Sequence, residues 1–171
     1  MPTNGRILIA DDEELLRRTT AELLSKEGYE CYQADSAESA LETLNGSEFD
    51  LLISDIHMPG NSELELIKEL SGIAEGMPVI LITGSPSVET ATKSIDLPVA
   101  AYMSKPLDFE LLLKHIKSSI TNYRTYRSVQ NTSERLQEWQ KDLDSIKEAV
   151  SNALDTASPV PVNTFFKLTF R

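Results

Sequence analysis

This sequence predicts an α/β fold on a five-stranded parallel sheet, and three observations carry the expectation. Short apolar runs of strand length alternate with stretches of helical periodicity, the pattern of βα units. Four of the runs end in polar residues of complementary kind. Arg6-Ile7-Leu8-Ile9-Ala10 leads into Asp11-Asp12-Glu13, Leu51-Leu52-Ile53-Ser54 ends at Asp55, Val79-Ile80-Leu81-Ile82 ends at Thr83, and Ala101-Tyr102-Met103-Ser104 ends at Lys105-Pro106. Open α/β sheets keep their chemistry in the crevice beyond the carboxyl ends of the strands, so these ends mark a candidate site. Finally, 171 residues with 40% apolar and 25% charged side chains suffice for one well-buried domain and an extension.

Each element has its own signal. After Asp12, the residues Leu15, Leu16, Thr19, Ala21, Leu23 and Leu24 give a broad apolar helix face, which Gly28 stops. Tyr29 to Ala34 is strand-like; its Cys31 is the single cysteine, so no internal disulfide forms, and it is expected to pack as a small apolar side chain. Ser36 is placed to cap a helix from Ala37 to Leu44, ended by Asn45-Gly46. Glu63 to Leu70 puts Leu64, Ile67 and Leu70 on one side, with Ser62 available as its cap. Val88 to Ile95 is a weaker helix. Asp108 begins the last one, with Leu111, Leu112, Ile116 and Ile120 expected toward the sheet and His115 on its solvated side.

That last helix has no reason to stop. No Gly or Pro occurs between residues 107 and 158, and Val129, Thr132, Leu136, Trp139, Leu143, Ile146 and Val150 alternate steps of three and four. A spacing nearer 3.5 than 3.6 favours pairing with a second helix over folding back as an amphipathic helix, although Trp139 is bulky for the seam of a parallel dimer. Ser158-Pro159-Val160-Pro161 is a break, after which Phe166, Leu168 and Phe170 alternate as in a strand. The expected organisation is a domain over 1–121, a helical extension with coiled-coil character over 122–157, and a tail over 158–171. Eight strand-like residues cannot form a domain, so the tail is either the start of a truncated output domain or a loosely docked end.

Charge narrows the function classes. The net charge is −11. Residues 1–121 hold 9 Lys and Arg against 21 Asp and Glu, and residues 122–171 hold 7 against 6. An acidic body repels nucleic-acid phosphates and the extension has no basic patch, so nucleic-acid binding by this chain is not expected. No segment has the apolar length of a membrane span, and the N-terminus lacks signal-peptide character. A cytoplasmic protein is the simple expectation.

The strand ends supply three or four acids, one hydroxyl and one lysine. Such a set can bind a divalent cation and carry a phosphoryl group, because the cation offsets repulsion between a carboxylate and the incoming anion. Without metal the clustered carboxylates repel, so one pKa should rise. Each piece alone has a plainer account: Asp11-Asp12-Glu13 as a helix cap, Thr83-Gly84 as a turn, Lys105-Pro106 as a loop. In order and together, over residues 5–121, they resemble the receiver domain of two-component response regulators.

The resemblance implies a flavodoxin-like, doubly wound sheet in the order 2-1-3-4-5. It implies that Asp55 accepts a phosphoryl group from a sensor histidine kinase, and that Mg²⁺ (or Mn²⁺) is held by Asp12 and Asp55 directly, by Asp11 through water, and by the backbone carbonyl of His57. Thr83 and Tyr102 match the switch pair, Lys105 matches the lysine that meets a phosphoryl oxygen, and the peptide bond before Pro106 is expected cis. Ser85 and the His57 side chain lie at the rim, where they would tune access of hydrolytic water. Such a chain would modify itself rather than turn over a substrate, and its long helix would make it a homodimer.

Two departures stand out. Glu63 occupies a position where the family has glycine, and Pro98-Val99 replaces a Gly-Ala pair, which should shorten the fourth helix. Two other functions compete. A phosphatase of the haloacid dehalogenase type also uses a strand-end Asp, but needs a second acid where His57 stands. A degenerate receiver would be a dimeric scaffold only.

Overall fold

The computed structural model describes residues 3–61 and 64–156. The chain divides into two compact units, Met1–Arg127 and Ser128–Arg171. The elements alternate as expected: β1 (Arg6–Ala10), α1 (Glu14–Lys26), β2 (Glu30–Ala34), α2 (Ala37–Gly46), β3 (Leu51–Asp55), α3 (Glu65–Ile73), β4 (Val79–Thr83), α4 (Val88–Lys93), β5 (Val99–Ser104) and α5 (Phe109–Thr156). The five strands are parallel in the order β2-β1-β3-β4-β5.

Burial follows from this order. β3 and β4 lie inside the sheet, covered on both faces, and all their residues are buried. Their near-continuous apolar sequence is what two covered faces require. Two apolar clusters cover the two faces. One holds Leu8, Leu52, Leu81, Ala40, Leu44, Leu66 and Leu70 under α2 and α3; the other holds Ile7, Ile53, Ile80, Leu24, Leu112 and Ile116 under α1 and α5.

The helices differ from the sequence expectations in particular ways. On α1 the buried residues are Thr20, Ala21 and Leu24, a narrower face than expected; Leu15 and Thr19 are exposed. Leu15 sits in the first turn, beside the acidic loop, where no described element covers it. Ser36 does cap α2, its Oγ accepting from the Ser39 N–H at 3.3 Å. α3 begins at Glu65, later than expected, and its N-cap residue is Leu64 with φ 63°, a left-handed conformation costly for a branched side chain. Ser62 and Glu63 lie outside the described residues. α4 is only six residues long and buries none of them, consistent with the Pro98-Val99 departure. On α5, Leu112, Ile116, Ile120 and Tyr123 face the sheet while Leu111 is exposed and His115 half-buried.

The base of α5 is fastened to the N-terminal edge of the sheet. Arg124 donates to both oxygens of Asp50, Nε to Oδ1 and Nη2 to Oδ2, each at 2.9 Å; Arg127 meets Glu48 at 3.2 Å. The Arg6 N–H also donates to Asp50 Oδ2 at 2.9 Å. Gly5 permits this approach: a Cβ there would lie 2.8 Å from Ile120 Cδ1. α5 then continues without interruption to Thr156, as the missing Gly and Pro predict. Residues 157–171, including the strand-like Phe166, Leu168 and Phe170, lie outside the described residues.

Candidate functional site

The site forms where three strand ends meet. β1 delivers Asp11 and Asp12, β3 delivers Asp55, and β5 delivers Lys105 across the crevice. One carboxylate oxygen from each of Asp11, Asp12 and Asp55 lies within 4.8 Å of the other two. Asp11 and Asp55 are buried and Asp12 is exposed. The donors are all oxygens, which suits a hard cation such as Mg²⁺ better than a thiolate- or imidazole-seeking metal.

Lys105 ties the acids together. Its Nζ lies 2.7 Å from Asp55 Oδ2, 2.6 Å from Glu13 Oε1 and 3.1 Å from Asp11 Oδ2. Burial would lower the lysine pKa, but hydrogen bonds to Asp55, Glu13 and Asp11 outweigh it and hold the value above that of an ordinary lysine. The carboxyl pKa of Asp11 is raised, as clustering predicts. Its main cause is burial, however; the charge of Asp55 adds less, and the Glu13 N–H and Lys105 pull the other way.

The remaining predicted residues surround this centre. Asp55 Oδ1 accepts from the His57 N–H at 3.0 Å, and the His57 side chain is exposed at the rim. Thr83 is fully buried; its Oγ1 accepts from the Ser85 N–H at 3.1 Å, and its carbonyl accepts from the Lys105 N–H at 2.8 Å. The Lys105–Pro106 peptide is cis. Tyr102 is half-buried, and its hydroxyl shares a 2.8 Å hydrogen bond with Thr90 Oγ1 on α4. Thr90 is in turn held by the cap of α4, its N–H donating to Ser87 Oγ at 3.1 Å.

Comparison with known proteins decides the family. The family described as response regulator receiver domain matches residues 7–117. This chain is a member of that family. The receiver's sheet order is thus the one its family resemblance implied. It is 30% identical over 120 residues to the transcriptional regulatory protein FixJ of Bradyrhizobium diazoefficiens, covering 70% of this chain and 58% of FixJ. It is 29% identical over 125 residues to sporulation initiation phosphotransferase F of Bacillus subtilis, covering 73% of this chain and 98% of that protein. The solved CheY-like receiver domain protein from Methanospirillum hungatei superposes with a TM-score of 0.68 at 31% identity, over 71% of this chain and 97% of that one. The receiver thus spans less than two thirds of FixJ. Nothing in these comparisons favours a haloacid-dehalogenase-type phosphatase.

Sequence reasoning missed three residues of the site. Glu13 was visible as the third acid of Asp11-Asp12-Glu13, but its reach to Lys105 was not. Thr90 and Asn61 carried no signal: Thr90 meets Tyr102 from another element, and Asn61 Nδ2 donates back through the loop to the Asp55 carbonyl at 2.8 Å.

Proposed function

We propose that this receiver accepts a phosphoryl group at Asp55, in a reaction that depends on a divalent cation held by its acids. The observation that carries the reading is that Asp55 lies 2.7 Å from Lys105 Nζ and within 4.8 Å of both Asp11 and Asp12, in one crevice. Asp12 and Asp55 would ligate Mg²⁺ or Mn²⁺ directly, with the His57 backbone carbonyl, and Asp11 through water. Bound there, the cation would neutralise charge on the transferring oxygens.

The chain's own residues do the rest. A carboxylate oxygen of Asp55 attacks phosphorus as the bond to the donor's leaving group breaks, giving an acyl phosphate. Lys105 exchanges its contact with Asp55 Oδ2 for a phosphoryl oxygen. Thr83 donates its hydroxyl to another, releasing the Ser85 N–H; Ser85 and the His57 side chain stay at the rim and govern approach of water. The inward move of Thr83 opens space for Tyr102, which then gives up Thr90 and alters the α4–β5–α5 face. The donor is a sensor histidine kinase, and the place of action is the cytoplasm. None of the described helices is long and apolar enough to cross a membrane.

Residues 1–121 act as the receiver and 122–157 as a helical extension that pairs two copies. The chain itself turns over no external substrate and contacts no nucleic acid. A small phosphoryl donor such as acetyl phosphate with Mg²⁺ should add one phosphoryl group by intact mass, and none to Asp55→Asn. A folded wild type that gains no mass would leave the degenerate scaffold as the better account; many turnovers of a general phosphate ester would favour a phosphatase.

A further inference from the structure

The loop between β3 and α3 contains a buried amide to which phosphoryl transfer gives no task. Asn61 is fully buried, and every polar group it has is paired. Its Nδ2 donates to the Asp55 carbonyl at 2.8 Å and to Ser54 Oγ at 3.3 Å. Its Oδ1 accepts from the Leu66 N–H in the first turn of α3 at 3.1 Å. Its backbone N–H donates to the Met58 carbonyl at 3.1 Å, and its own carbonyl accepts from the Leu64 N–H at 3.3 Å.

An apolar side chain would fill this space at no desolvation cost, so a buried amide persists only if its hydrogen bonds matter. These bonds close a ring from Asp55 to Asn61, with His57 inside it. The ring is also pinned from outside: the Ile56 N–H donates to the Ile82 carbonyl at 3.1 Å, and the Ala37 N–H donates to the Pro59 carbonyl at 3.0 Å. Gly60, at φ 79°, makes the second contact possible, since a Cβ there would stand 3.1 Å from that of Ala37. A fully satisfied network of this kind is stiff.

We propose that Asn61 is a positioning residue for the acidic crevice, holding the β3–α3 loop so that the Asp55 carboxylate and the His57 backbone carbonyl stay at a fixed separation as oxygen donors to a divalent cation. The inference rests on the metal-dependent reading of the crevice above. Its signature is metal affinity, which a role in folding alone would not move.

The test is the Mn²⁺ affinity of the full chain, read by electron paramagnetic resonance, with the melting temperature measured alongside. Asn61→Leu keeps the branched shape with somewhat larger methyl groups and removes all three side-chain hydrogen bonds. Mn²⁺ affinity should fall about tenfold, as for other residues that orient ligands. Phosphorylation should slow at limiting Mg²⁺ and recover at saturating Mg²⁺. A lower melting temperature with unchanged Mn²⁺ affinity overturns the proposal. If Asn61→Leu does not fold, Ser54→Ala, which removes one of the two acceptors of Nδ2, decides it: a measurable loss of Mn²⁺ affinity supports it, and an unchanged affinity overturns it. Wild type that binds Mn²⁺ but gains no phosphoryl group refutes phosphoryl transfer alone, and the affinity comparison still decides Asn61. Wild type that binds no Mn²⁺ overturns both.

Discussion

Lys105 is one cation facing three carboxylates, and its side chain is largely buried. Its pKa is raised in the folded protein, so its contribution to stability is complete below the ordinary lysine value and fades only as pH rises through the folded value. At neutral pH that contribution is therefore fully present. Lys105→Met should cost about 2 kcal/mol in chelator, because Asp11 and Asp55 are left buried and uncompensated. Millimolar Mg²⁺ should restore much of it by supplying another cation. Thermal melts of both proteins with and without Mg²⁺ check this; a deficit that ignores Mg²⁺ would show that the acids do not share a cation site. The positions of Asp11, Asp12, Asp55, Thr83 and Lys105 were legible because each directly follows or ends an apolar run, and parallel strands put all such ends on one edge. Asn61 and Thr90 were not, nor was the reach of Glu13 to Lys105, since Asn61 bonds back to its own strand through a loop of unpredictable path and the other two reach across elements. The rise in the Asp11 pKa was legible, but its cause was not: sequence shows neighbouring charges, and burial is a property of the fold.

Elements were legible where periodicity or a cap residue was strong, as at Ser36, and not where a boundary depended on packing. α3 begins two residues later than its apolar spacing implied, because Asn61 accepts from Leu66 and Leu64 takes a left-handed turn. α1 narrows its buried face because only residues spaced by three and four from Leu24 reach the sheet. Nothing in the sequence pointed to the fastening of α5 at Asp50. There, burial raises the carboxyl pKa, but hydrogen bonds from Arg124 and the Arg6 N–H outweigh it, and the net shift is downward. A lowered folded pKa gives stability that is present above the ordinary Asp value and lost as pH falls through the folded one. Asp50→Asn should thus be less stable than wild type by about 1 kcal/mol at neutral pH, a modest figure because Arg124 is half exposed. The gap should begin to narrow near pH 3.8 and close only at lower pH, as Asp50 itself takes up a proton. Urea melts at neutral and acid pH measure it; a gap independent of pH would place the cost in packing instead of charge.

At the scale of the whole molecule, the acidic net charge of −11 and the neutral extension leave apolar contact as the means of association. Residues Val129, Leu136, Trp139, Leu143, Ile146 and Val150 are each more than half exposed on α5. Scattered exposed apolar residues need no explanation, but six on one heptad stripe do. Complementary charge at the flanks points the same way: Asp142 and Lys147 are spaced as facing flank positions of a parallel pair. Burying a Leu side chain is worth about 2 kcal/mol, and each seam leucine counts twice in a symmetric pair. Lysine at both Leu136 and Leu143 would instead place like charges across the seam. Leu136→Lys with Leu143→Lys should therefore convert a dimer to a monomer in sedimentation equilibrium while leaving acetyl phosphate labelling of Asp55 intact, since neither residue lies in the receiver. A variant of unchanged mass would exclude the stripe as the dimer seam. A monomer that also loses labelling would mean instead that pairing supports the crevice, so the two readouts together decide whether association and phosphoryl acceptance are separate functions of one chain.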